Sequence, residues 1–192
     1  MKIRVSFPAV LILTLGLLGG IPLRAQSLKK WTPAQILASI KPGQWVEIDG
    51  VIREQHSVFA LEVELRTGDF MDDDWRLLAL VRSVAPANSE LRVFSVPVKV
   101  TKDTEFDDKI TGLADLKPGM LVKLEGTFLN DGVFLAKEVD DKSRKLQAEP
   151  HFDSMLEVVG RVGQVDVEKR VITVMGIPFH INEETEGKSL IK

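Results

Sequence analysis

The chain repeats itself twice, at two different spacings, and a fold that fits it must place both pairs of copies in like surroundings. Residues 36–63 (ILASIKPGQWVEIDGVIREQHSVFALEV) align without a gap on residues 112–139 (GLADLKPGMLVKLEGTFLNDGVFLAKEV), 76 positions later. Residues 77–105 align on 158–186, 81 positions later; Val81, Val84, Val93, Pro97, Thr104 and Glu105 recur as Val162, Val165, Val174, Pro178, Thr185 and Glu186. With the second kind of segment called A and the first B, the order is B, A, B, A. Only the middle A and B form a complete consecutive unit.

Segment A alternates apolar and polar residues in short runs, among them Leu91 and Val93, then Val96, Val98 and Val100. That period, with its valines, predicts three strands, with breaks at 85–89 and 167–170. Segment B runs from Pro-Gly through Val122, Leu124 and Phe128, turns at Asn130-Asp131-Gly132, and returns through Val133 and Leu135 to Val139: a hairpin. A plus B is five strands, enough for a small barrel. The outer B has two strands, marginal alone in water, and the outer A has three with edges that invite pairing. The expectation is that 36–66 pairs with 156–186, within one chain or between two swapped chains, so that one barrel is a circularly permuted copy of the other. One helix is predicted, from the capping residue Thr32, Pro33 and Gln35 through Ile36, Leu37 and Ile40 to a stop at Pro42-Gly43.

The first residues carry Lys2 and Arg4, run apolar from Val10 to Leu18, and loosen through Gly19, Gly20 and Pro22 to Ala25. This is the order of a secretory signal peptide, predicting a signal helix in 1–25, cleavage after Ala25, no stable membrane span after processing, and a periplasmic or secreted product. The chain has no cysteine, so disulfides, thiolate metal sites and a cysteine nucleophile are excluded. The 25 basic and 28 acidic residues become 22 and 28 once Lys2, Arg4 and Arg24 leave with the signal, a net charge of −6 that argues against nucleic acid as a partner. The predicted division is 1–25 signal, 26–67 with 156–192 as the permuted barrel, 77–140 as the complete barrel, and 68–76 and 141–155 as polar connectors.

The order Val-x-x-Val, then Pro97-Val98-x-Val100 with Thr104-Glu105-Phe106, then Gly112-Leu-Ala-Asp-Leu-Lys-Pro-Gly119 and a closing Ala136-x-Glu138-Val139, resembles domain of unknown function 5666. The likeness is closest over 77–140, and 36–66 and 156–186 resemble the back and front of the same domain. It implies an exported, all-β protein of small OB-like barrels, and it brings no functional residues with it.

Candidate sites are few. Asp69, Asp72, Asp73 and Asp74 suggest a hard cation, but the alternating ligands, turn glycine and distal glutamate of a calcium loop are lacking, so no metal is assigned. His56, His151 and His180 share no ligand spacing, and His56-Ser57 lies in no nucleophile motif, so no catalytic residue and no cofactor are assigned. Trp45 aligns with Leu121 and is read as core. Phe70, Met71 and Trp75 stand together in an acidic connector and are the candidate contact surface, Trp31 being the remaining tryptophan. The expectation is a non-catalytic binding module for a protein or glycan of the cell envelope. The alternatives are an assembly protein pairing through barrel edges, a carboxylate-based enzyme, and a metal-binding protein.

Overall fold

The computed structural model describes residues 31–53, 57–107 and 110–190; the segment read as a signal peptide lies outside them, as does His56. Helix α1 (Pro33–Ser39) starts as its sequence dictates. The Thr32 hydroxyl accepts from the Gln35 N–H while the Gln35 side chain accepts from the Thr32 N–H, and Ile36 and Leu37 are buried.

Most of the remaining described residues form a mixed sheet of twelve strands. The first hairpin is β1 (Trp45–Ile52) and β2 (Val58–Leu65). A long β3 (Trp75–Ala85) leads to β4 (Glu90–Val93), β5 (Val96–Lys99) and the two-residue β6 (Glu105–Phe106). The second hairpin is β7 (Leu121–Phe128) and β8 (Phe134–Asp141). A second long strand, β9 (Met155–Asp166), is followed by β10 (Val171–Val174), β11 (Ile177–His180) and β12 (Glu186–Lys188). Each A segment therefore carries a short fourth strand beyond the three its pattern predicts.

The pairings run in two closed circuits. One is β3–β4–β5–β8–β7 and back to β3, with β5 and β8 parallel and the other contacts antiparallel. The other is β9–β10–β11–β2–β1 and back to β9, with β11 and β2 parallel. The ends of the chain are thus brought together, 45–65 against 155–188. The two circuits agree residue by residue. Val122 faces Asp141 as Val46 faces Leu65, and both hairpins shift register at a glycine, Gly126 and Gly50. Thr104 donates its hydroxyl to the Ala136 carbonyl at 2.7 Å, and Thr185 to the Ala60 carbonyl at 2.8 Å. Gly119 and Gly43, both at positive φ, donate to Val81 and Val162. A one-residue slip would turn a strand's apolar side chains out of the core, which is why a repeated pattern forces a repeated register.

The circuits join where β3 pairs with β9: Arg76 with Val159, Leu77 with Val158, Leu78 with Glu157. Exchanging each residue for its repeat partner returns the same three pairs, so a pseudo-twofold passes between Leu77 and Val158. Both are fully buried, and one apolar core runs through the two circuits.

The connectors depart from the symmetry. Residues 141–155, read from sequence as a polar link, contain α2 (Ser143–Ala148) and a 3-10 turn at Pro150–Asp153. They bury Phe152 on Leu78 and Leu121, with Leu146 packed beside it. The other connector, 66–74, is shorter and has no helix. It stacks Phe70 on Trp45 with ring centroids 5.1 Å apart. Because Trp45 is the repeat partner of Leu121, both connectors set a phenylalanine on the same place.

Candidate functional site

Of the three residues read as a contact surface, the structure separates one from the others. Trp75 is not in the connector: it opens β3, facing Gly126 across the ladder, and is only 9% exposed. Its ring lies where a side chain on Gly160 would stand, a built Cβ there coming within 2.5 Å of Trp75 Cε3. It touches Trp45 (5.1 Å) and Phe128 (5.4 Å). Trp45 is equally buried, as its alignment with Leu121 requires. Phe70 is half-buried, and Met71 is 67% exposed at the tip of the connector.

The aspartates around these residues act as clamps. Asp72 pairs with Arg161 of β9 at 3.0 Å and Asp73 with Lys137 of β8 at 2.8 Å, so the connector is tied to both circuits. The Lys137 hydrogen bond holds the Asp73 carboxyl below its ordinary range. Asp74 accepts the Met71 N–H at 2.6 Å, closing a tight turn. The Arg161 guanidinium also lies 5.4 Å from the Trp45 ring centre. Asp69 lines a cleft of about 380 Å³ on the Phe70 side of the connector.

A larger groove, about 690 Å³, opens between the connector, the end of β7, β9 and the turn that joins β10 to β11. Its walls include Trp75, Phe128 and Met175, with Asp72, Asn130 and Arg161 supplying the polar groups. Sequence reasoning found Trp75 and Asp72 but missed the rest, which reach the groove only because β3 pairs with β9.

The histidines stand apart. His180 leans on Phe59 (5.3 Å), and exposed His151 lies beside Phe152 and 3.7 Å from the Glu149 carboxylate. Among the described residues, no three His, Asp or Glu side chains gather where they could share a metal ion.

One carboxylate is strongly perturbed. Asp49 on β1 faces Glu62 on one side and Glu157 on the other. Burial, then Glu157, Glu62 and Glu47, push its pKa from 3.8 to about 6, against the pull of Lys188. Its repeat partner Glu125 faces Arg76 instead of a second acid. Folded Asp49 keeps its proton to about pH 6, while the unfolded chain releases it near 3.8. Stability is therefore present below pH 3.8 and drains away as pH rises to 6. Asp49→Asn is expected to stabilise the protein by about 1–2 kcal/mol at pH 8, a figure reduced for the group's partial exposure, and by nothing at pH 3.5. Urea denaturation at the two pH values checks it; an equal effect at both would remove the charge as the cause.

Fold and site together define a mostly β protein of two like halves joined across a pseudo-twofold, with an aromatic-walled groove beside the join. The family described as Domain of unknown function (DUF5666) matches residues 27–64 and 80–140, a little over half of the chain, and the chain belongs to that family. The second matched stretch runs through the consecutive A and B, and the first covers α1 and the β1–β2 hairpin. No curated protein matches the chain, and no solved structure does.

Proposed function

We propose that this chain is an exported, non-catalytic binding module of two OB-like five-stranded barrels, one a circular permutation of the other, that contacts a protein or glycan of the cell envelope through the groove beside residues 66–74. Each closed circuit of five strands is the pairing plan of a small barrel. The N-terminal order of charges, apolar run and small residues supports export. The observation that carries the binding reading is the groove itself, about 690 Å³ with aromatic and aliphatic walls and a few charged groups, the usual make-up of a recognition site. Met71, 67% exposed, is the chain neighbour of Asp72, which lines the groove, and a large apolar side chain held out on a clamped turn is suited to contact.

A photo-crosslinking residue at Met71, in protein expressed in the envelope, is expected to give a discrete adduct. The same residue at Val167, 62% exposed on the β9–β10 hairpin, is the control and is expected to give none. The adduct's mass separates protein from glycan. Absence of an adduct at Met71, or the same adducts at both positions, contradicts the proposal.

A further inference from the structure

The groove contains an open strand edge, and the pseudo-twofold shows what fits it. Just past the last β7–β8 pair, the Leu129 N–H donates to the Val133 carbonyl, so Leu129 faces β8 with its N–H as one half of a hydrogen-bonded pair would. Such pairs alternate, and the Phe128 N–H and C=O therefore point away from β8, toward the side on which β3 lies. β3 begins at Trp75, opposite Gly126, and does not reach Phe128. The turn closed by Asp74 and Met71 carries the chain away before it can. In the other circuit the equivalent place is filled: Ile52, the repeat partner of Phe128, donates its N–H to the Ser154 carbonyl at 2.7 Å, directly ahead of β9. No loop or turn carbonyl among the described residues takes the Phe128 N–H in that way.

We infer that the groove takes an extended peptide of a partner protein, which adds as a short strand to the open end of β7, its carbonyl at Phe128 standing where that of Ser154 stands at Ile52. The inference rests on the binding-module reading and gives its ligand a chemical class. Main-chain bonds to Phe128 supply the docking line, and alternate side chains supply selectivity. An apolar side chain of the peptide meets Trp75, Phe128 and Met175. A carboxylate goes to Arg161, the one cation among the groove's lining residues, already held over Trp45. Asp72 shows that a carboxylate fits there, and its own side chain is 82% exposed, so its hold on Arg161 is readily exchanged. The ligand is therefore an extended segment with an acidic residue near apolar ones.

A displayed library of short linear peptides, panned on the mature chain, tests this. Enriched peptides are expected to pair acidic with apolar residues and to slow hydrogen exchange of the Phe128 amide at least about tenfold. Arg161→Gln is expected to weaken them about tenfold, the loss of a charge-assisted bond. Asp72→Asn is expected to tighten them about threefold, because it frees Arg161, an effect that a merely structural role for Asp72 would not give. Failure to enrich any peptide overturns the inference, as does binding that leaves Phe128 exchange unchanged or ignores both substitutions. A chitooligosaccharide that perturbs Trp75 fluorescence while no peptide enriches makes this a glycan groove instead. Adducts at Met71 with no protection of Phe128 sink strand addition alone. Absence of adducts sinks the binding-module reading, whatever the peptides do.

Discussion

Replacing Phe179 by valine is expected to cost about 2–4 kcal/mol of stability, and adding Val58→Phe to the same molecule is expected to restore most of it. The two residues face each other in the parallel contact that closes their circuit, as Val98 and Phe134 do in the other. All four are at most 1% exposed. Each circuit thus holds one phenylalanine and one valine at this contact, from opposite strands. In both, the ring lies against the bulge glycine: Phe179 Cε1 is 3.0 Å from a Cβ built on Gly50, and Phe134 Cε1 is 3.1 Å from one built on Gly126. The ring fills the space that the absent side chain leaves. Phe179→Val alone opens a cavity, and Val58→Phe alone crowds two rings into a site for one, at about 1–3 kcal/mol. The double variant rebuilds the arrangement of the other circuit and is expected within about 1.5 kcal/mol of the parent, a coupling of 2 kcal/mol or more by urea denaturation. Losses that simply add would mean that the circuits share a backbone plan but no side-chain equivalence.

Much of this plan was legible in the sequence because each repeated residue has a local or a ladder role. Thr104 and Thr185 recur because both bond a carbonyl of the neighbouring hairpin, and Gly50 and Gly126 because both sit at the bulge. The α1 cap lies within four residues and reads directly from Thr32-Pro33-x-Gln35. What escaped depends on partners distant in sequence. Helix α2 has no side-chain cap, and its Leu146 is apolar for the sake of Phe152, Leu78 and Leu121. Trp75 reads as a connector residue because Gly160, Trp45 and Phe128, which bury it, come from three other strands. The strands β6 and β12 are too short for a period to show. Of the site, Phe70, Met71, Trp75 and Asp72 were visible as a cluster. Arg161, Met175 and the open end of β7 were not, since only the pairing of β3 with β9 brings them alongside. The perturbation of Asp49 has the same origin, in a facing Glu157 more than half the chain away.

The pairing of the two chain ends is tested most directly by hydrogen exchange on a chain lacking residues 156–192. That deletion takes away β10, β11, β12 and nearly all of β9, and with them every strand that β1 and β2 pair with except each other. A lone hairpin is marginal in water. The amides of 45–65 are expected to lose their protection, and the emission of Trp45 to shift to the red as Arg161 and β9 leave it. The circuit of β3, β4, β5, β7 and β8 keeps all five of its pairings, so the amides of 75–141 are expected to stay protected. A truncated monomer in which 45–65 remains as protected as in the full chain would contradict the assembly of the second circuit from the two ends.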